Sequence, residues 1–325
     1  MADWLVEEGI GEERAIRLEG GEIVAARMHW PGALTAGQID DAKLMKRRAG
    51  TPRGTALFAN GERALVDNLP RSASEGSTIR LEVVRAASRE IGRIKSAQAR
   101  PTDKPPRPAS GLAENLRNEG HGVLVVHRFP DEADWDELWT EAALRRVFFA
   151  GGSLQLYPTP AMLLIDIDGD DDPVALARVA IEPLAQTLRR LDLAGNIGID
   201  FPTVTSKADR KSIDAALDTA LSDWPHERTA MNGFGFVQLI SRRERPSLVA
   251  LTQDVPAAQA RLLLRRAERV REPGVLVLHC PDWVAKALKD EWIAELSRRT
   301  GRPVRLEIDK KRDSLEANYA QAEPQ

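Results

Sequence analysis

Two short apolar runs, each closing on an acid, constrain this chain more than any other feature: Ala161-Met-Leu-Leu-Ile-Asp-Ile-Asp168 and Asn196-Ile-Gly-Ile-Asp-Phe201. The span between them holds one helix, with Val174, Ala177, Ile181, Leu184, Leu188 and Leu191 at helical intervals. A strand–helix–strand unit of that kind sets two parallel strands side by side, with both C-terminal ends on one sheet edge. Ligands of open α/β sheets bind at that edge. Alternation sends Asp166 and Asp168 to the same face, and Asp200 on the next strand joins them. Carboxylates gathered there form an oxygen-only donor set suited to Mg²⁺ or Mn²⁺, able to activate water against a phosphoryl group. A plainer reading stands beside it. Acids after core strands also cap the next helix, and Asp170-Asp171-Asp172 before Pro173 has that pattern.

A chain of 325 residues, 42% hydrophobic and 29% charged, has material for two or three small domains with real cores. A net charge of -3 argues against a surface that is wholly a nucleic-acid footprint, while leaving room for local basic patches. Cys280 is the one cysteine, which excludes an intramolecular disulfide framework and a cysteine-built zinc site. The run Met1-Ala-Asp-Trp-Leu-Val-Glu-Glu has no basic segment leading into an apolar core, and no later run is long enough to span a bilayer. The expected compartment is the cytoplasm. HExxH, GxSxG, Walker and complete GxGxxG motifs are missing, and the five histidines are scattered without metal-ligand spacing.

Along the chain, Glu13 to Met28 reads as a hairpin turned at Gly20-Gly21. Short strand candidates at 43–46, 54–58, 63–66 and 78–84, separated by Gly, Asn, Pro and Ser, have the rhythm of a small β-barrel or meander. Phe58 in that region either stacks on a base or fills the core. Ser96 to Gly111, rich in proline, reads as a linker, and Gly122-Val-Leu-Val-Val-His127 as a buried strand. A helix is expected from Trp135 to Val147, and Pro183 is expected to kink or restart the helix after Asp168. Ser206 and Asp209 form a capping pair at the start of another helix. Lys207, Arg210 and Lys211 at that start lie on the acid edge, either as a solvated face or as phosphate contacts. The last third repeats the alternation: helix 256–270, strand 275–279, helix 282–299 and strand 304–308, then a tail over 313–325 expected to be disordered.

Four stretches, in order, carry a resemblance. Gly151-Gly-Ser-Leu-Gln-Leu-Tyr-Pro-Thr-Pro-Ala-Met-Leu-Leu-Ile-Asp-Ile-Asp168 resembles the GGS…PTEAL…IDIN stretch of the ribonuclease E/G family. Leu188-Arg-Arg-Leu-Asp-Leu-Ala-Gly-Asn-Ile-Gly-Ile-Asp-Phe201 resembles its LRLRDLGGxIxIDF, and Phe234 to Leu248 its LGLxEMTRxRxRPSL. Glu295-Leu-Ser-Arg-Arg-Thr-Gly-Arg-Pro-Val304 is similar to its ELxxRTGxxI. The resemblance is good over about 140–310 and patchy before that.

It implies a multidomain α/β protein: a DNase I-like α/β catalytic subdomain at 151–252, an N-terminal β-rich, degenerate OB-type RNA-binding barrel at 35–95, and a small C-terminal α/β domain at 253–312. Segment 1–34 would pack with an RNase H-like remnant at 112–150, across the linker 96–111. The implied activity is Mg²⁺-dependent cleavage of single-stranded RNA, with Asp166 and Asp200 as metal ligands. Asp168 stands where the family has asparagine, as a ligand or an orienter. Arg242, Arg243 and Arg245 would sit near the RNA path, with Ser241 in place of an expected arginine. The family's 5′-monophosphate pocket has no counterpart, and no CPxCxG follows Leu248, so any homo-oligomer would form without a zinc link. The expectation is a compact endoribonuclease, or alternatively an RNA-binding protein that has lost turnover on the same scaffold.

Overall fold

The computed structural model describes residues 3–90, 92–309 and 318–323. The chain opens with three antiparallel strands, β1 (Trp4–Gly9), β2 (Glu12–Glu19) and β3 (Glu22–His29). The β2–β3 turn uses Gly20 and Gly21 at φ 61° and 91°, a left-handed region where a side chain is strained, so the hairpin forms where expected.

Next come β4 (Ile39–Arg47), β5 (Gly54–Leu57), β6 (Arg63–Val66) and β7 (Thr78–Arg85), a two-stranded ribbon of β8 (Ser88–Glu90) and β9 (Arg93–Lys95), and β10 (Ala97–Pro101). Five of these close a barrel in the order β10-β6-β5-β4-β7. The expected linker is therefore corrected at its start. Ala97 to Pro101 pairs parallel with β6 and antiparallel with β7, and Arg107 still bridges to Ile39. Without β10 the barrel would expose two strand edges. Its interior is filled by small and aliphatic residues around Leu44, Val66, Leu81 and Val83. Phe58 lies among them at 3% exposure, so it offers no ring to a base.

Helix α1 (Leu112–Asn118) leads to β11 (Val123–Val126), which adds parallel to β1 and completes a sheet ordered β11-β1-β2-β3. The expected buried strand is here an edge: Leu124 and Val125 are 52% and 42% exposed. An apolar run shows that a strand forms but not how many neighbours it gains.

Helix α2 (Trp135–Leu144) precedes β12 (Arg146–Phe149), β13 (Gly152–Pro158) and β14 (Leu163–Gly169). Helix α3 (Pro173–Arg190) crosses to β15 (Gly195–Asp200), and α4 (Lys207–Ala220), β16 (Glu227–Arg228) and β17 (Phe236–Ser241) follow. These strands form one sheet ordered β12-β13-β14-β15-β17-β16, in which β14 and β15 are parallel. Asp172 caps α3 by accepting from the Val174 and Ala175 amides, with Pro173 in the first turn, so the capping reading holds for this acid. Pro183 neither ends nor restarts α3; the donor it lacks would have met the carbonyl of Val179, an exposed residue. Ser206 caps α4 through the Asp209 amide. Helices α3 and α4 cover one face of the sheet with Leu184, Leu188, Ile213 and Leu217 against Ile165, Ile167, Ile197 and Ile199.

Helices α5 (Leu248–Thr252) and α6 (Val255–Glu268) lead to β18 (Val275–Pro281), α7 (Asp282–Ala285), α8 (Asp290–Thr300), β19 (Val304–Asp309) and β20 (Tyr319–Glu323). The single helix expected over 282–299 is two, because Lys289 adopts an extended conformation at φ −105°, ψ 143°. The tail is corrected too. Residues 319–323 pair antiparallel with β18, while 313–317 and 324–325 lie outside the described residues.

Arginines join this last domain to the N-terminal sheet. Arg265 of α6 pairs across the junction with Glu12 at 2.7 Å, next to the Arg14–Glu7 pair within the sheet, and all four are buried. Arg261 donates to the Gly11 carbonyl and lies between the rings of Trp30 and Trp292, 4.0 and 4.7 Å from their centres. Gly11 is required there, since a Cβ would stand 2.7 Å from the Trp292 ring.

Candidate active site

Strand register fixes what the uncovered face of the six-stranded sheet presents. Asp166 on β14 stands directly opposite Asp200 on β15, and the row continues through Gln155 and Arg146 on one side and Phe236 on the other. One row toward the C-terminal end of β14 lie Asp168, Ser153 and Phe148; one row the other way lie Leu164, Tyr157, Gly198 and Gln238. Residues between these rows, among them Leu154, Ile165, Ile199 and Val237, point into the core. Same-face rows are roughly 6.6 Å apart and neighbouring strands about 4.8 Å apart. Gly198 keeps the face flat, for a Cβ would fall 2.5 Å from the Phe236 ring and 2.9 Å from the Met162 sulfur.

The acids meet as a pair rather than a trio. Asp166 faces Asp200 across one strand spacing, whereas β15 ends at Asp200 and leaves Asp168 without a neighbour on that side. Asp168 instead accepts a hydrogen bond from Gln155 Nε2 at 3.2 Å, and Gln155 Oε1 accepts from the Tyr157 hydroxyl at 2.6 Å. Among the described residues, no three His, Cys, Asp or Glu side chains are arranged to hold a metal. The expected convergence of three acids is corrected: Asp166 and Asp200 face each other, and Asp168 is held one pleat away. Partial burial, then the charges of Asp200 and Asp168, raise the Asp166 carboxyl above its ordinary pKa. Among the described residues, no ion pair is formed by Asp166, Asp168 or Asp200.

The basic residues divide between the two ends of the sheet. Lys207 and Lys211 are exposed in the first turns of α4, which the loop 201–206 joins to the acid end. Arg210 is turned inward instead, donating to the Val204 and Thr205 carbonyls at 2.6 and 2.9 Å and so shaping that loop. Arg242, Arg243 and Arg245 are at the far end. Because β17 runs antiparallel to β15, Ser241 pairs with Gly195 while Phe236 pairs with Asp200, and about 17 Å of strand separates these arginines from the acids. Arg242 pairs with Glu244 at 3.1 Å, and Arg243 packs against Gly195 in a cavity of about 270 Å³ shared with Arg89, Lys95 and Asn196. Arg245 binds Asp192 through two hydrogen bonds of 2.6 and 3.0 Å. Burial alone would lower its pKa, but the charge of Asp192 holds it above the ordinary value. The structure therefore does not bring Arg242, Arg243 and Arg245 to the acids.

Gln155, Tyr157, Phe148 and Arg146 were not singled out from sequence. Alternation in Gly152 to Pro158 marks Gln155 and Tyr157 as sharing a face, but only the register with β14 turns that face toward Asp166.

Fold and site together define a multidomain α/β protein whose mixed sheet carries an uncompensated carboxylate pair on its open face. No protein-family model matches the chain. Among proteins of known name, it is similar to Ribonuclease G of Escherichia coli strain K12, 29% identical over 190 residues, covering 49% of this chain and 39% of that protein. Ribonuclease G of Salmonella typhimurium strain SL1344 matches to the same extent. The aligned region spans well under half the length of these relatives.

Proposed function

We propose that the chain is a cytoplasmic, divalent-metal-dependent endoribonuclease that hydrolyses single-stranded RNA, with Asp166 and Asp200 as the ligands of Mg²⁺ or Mn²⁺ and no zinc. The supporting observation is the in-register carboxylate pair, in which partial burial and then the neighbouring acids already raise the proton affinity of Asp166. Two hard oxygen donors on an open face fit a cation that keeps several waters. The name of the similar proteins, Ribonuclease G, points to the same chemistry. In keeping with a soluble enzyme, no helix among the described residues is long and apolar enough to cross a membrane.

When bound, the cation would ease attack of water on phosphorus and offset charge on the phosphoryl oxygens. The protein's own groups do the rest. Asp168, held through Oδ2 by Gln155, has Oδ1 available to orient the attacking water and take its proton. As the new oxygen–phosphorus bond forms, the bond to the ribose oxygen on the other side breaks, and that oxygen leaves with a proton from solvent. Lys207 and Lys211 draw neighbouring phosphates to the acid end. The same proposal takes 151–252 as a DNase I-like subdomain, 112–150 as an RNase H-like remnant and the closed barrel as an OB-type RNA-binding module that acts through surface cations rather than Phe58.

Labelled single-stranded RNA incubated with Mg²⁺ should be cut internally by the wild type. Asp166→Asn, Asp200→Asn and chelator should each stop it; cleavage indifferent to all three removes the proposal. That Asp166 and Asp200 are joined by no third acid among the described residues favours one other reading, an RNA-binding protein without turnover. Salt-sensitive RNA binding with no product at any divalent-metal concentration would select it.

A further inference from the structure

We infer that the open face carries two nucleobase-stacking seats, Tyr157 and Phe148, on opposite sides of the acid row. The inference rests on the nuclease reading only for the class of ligand, a single-stranded nucleic acid. The two rings are 46% and 72% exposed although both belong to strands whose alternate residues are core. Each ring is held. The Tyr157 hydroxyl donates to Gln155, which in turn donates to Asp168, so the ring is tied to the acid cluster. Phe148 lies under the Arg146 guanidinium, 5.5 Å from its ring centre.

Position matters more than exposure. Phe148 is in the row of Asp168 and Tyr157 in the row of Leu164, with the row of Asp166 and Asp200 between them. Successive same-face rows are roughly 6.6 Å apart. The rings stand on β12 and β13, the acids on β14 and β15, so the face has a ring side and an acid side. A strand running along the acid side, its bases turned toward the rings, sets one base on Tyr157 and another on Phe148 and holds the phosphodiester between them over Asp166 and Asp200. Gln155 stands between the two seats and Gln238, which donates to Asn196, on the far side of the acids, both on the same face of the sheet. Arg146, in the acid row, offsets part of the negative charge that a phosphate meets there. Stacking of this kind tolerates any base, because every base has a π face, and it excludes duplex, whose bases are already stacked.

The test is anisotropy of a short end-labelled single-stranded RNA on the full chain in an Asp166→Asn/Asp200→Asn background. That background removes two repelling charges and, on the nuclease reading, cleavage. Tyr157→Leu and Phe148→Leu should each weaken binding about five- to tenfold and the pair more than about twentyfold, within the cost of deleting a stacking ring. Tyr157→Phe, which keeps the ring, should retain most of the affinity, and binding of a duplex should be unmoved by any of them. Equal binding by all variants, or equal losses for duplex, overturns the inference. So does ring-dependent self-association with unchanged RNA affinity, which would assign the face to a second copy of the chain. Wild-type cleavage with ring-independent binding removes the seats and leaves the nuclease; ring-dependent binding without cleavage does the reverse.

Discussion

At the open face of the six-stranded sheet, Asp166 and Asp200 face each other with no pairing cation among the described residues, whereas at the junction of the N-terminal sheet and the last domain each buried acid meets an arginine. The second arrangement is closed: Glu7 with Arg14, Glu12 with Arg265, and Arg261 sealed between Trp30 and Trp292. Its partners are supplied by the chain itself, and its role is to fix two domains. The first is open, and on the proposed reading its partner is a cation taken from solution. The difference teaches where to look for function: charge that the fold neutralises serves structure, and like charge left on an accessible face marks a candidate site.

The largest expected effect breaks the closed region. Arg265→Ala takes from buried Glu12 the nearer of its two arginines, leaving Arg14 at 3.5 Å, and opens a space at the junction, so it should cost about 2–4 kcal/mol in urea unfolding. RNA cleavage per folded molecule should be unchanged; a loss below about 1 kcal/mol would show the junction to be as dispensable as a surface pair.

The second acts on the open region. Asp200→Asn should lower cleavage by more than about a hundredfold, beyond the 10–100-fold that loss of an outer partner of a metal ligand costs, while unfolding in urea stays near wild type. Gln155→Leu comes next, with about a tenfold loss of rate as Asp168 is freed and little change in stability. Melting temperature resolves a smaller effect. The folded pKa of Asp166 is raised, so its contribution to stability is complete below the unfolded value near 3.8 and is lost as pH rises through the folded value. Asp166→Asn should therefore melt about 1–3 °C above wild type at pH 7 without divalent metal. That gain should vanish at pH 3 and reverse when Mg²⁺ is added; a destabilised variant at pH 7 in chelator would mean that Asp166 is paired after all. The smallest effect is expected for Arg242→Ala, under about 1 kcal/mol in RNA affinity, since Arg242 pairs with Glu244 at the end of β17 far from the acids.

Which parts were legible from sequence follows the range of the interactions involved. The pairing of Asp166 with Asp200 is local in the sense that matters: two apolar runs and one helix-length span admit parallel neighbours and little else. Asp172 with Pro173, Ser206 with Asp209 and Gly20-Gly21 were legible for the same reason, each being a few residues whose backbone chemistry is self-contained. What failed depends on partners far along the chain. Ala97 to Pro101 has the composition of a linker and becomes a barrel strand only because β6 and β7 leave it a slot. Phe58 faces inward and Val123 to Val126 lie at an edge for reasons of closure and sheet order, which periodicity does not carry. The resemblance sets the arginines after Ile240 near an RNA path without saying how far from the acids; that distance depends on the antiparallel direction of β17, which puts them at the other end of the sheet. Asp168 shares a face with Asp166, as alternation requires, yet β15 stops one row too soon to enclose it.

Direct titration of Mn²⁺ into the full chain, followed by the loss of free-ion paramagnetic resonance signal, tests the carboxylate pair without reference to any substrate. The account expects a saturable site in the wild type that survives Asp168→Asn with at most a modest loss and disappears in both Asp166→Asn and Asp200→Asn. Mn²⁺ binding that persists unchanged in Asp200→Asn would contradict it.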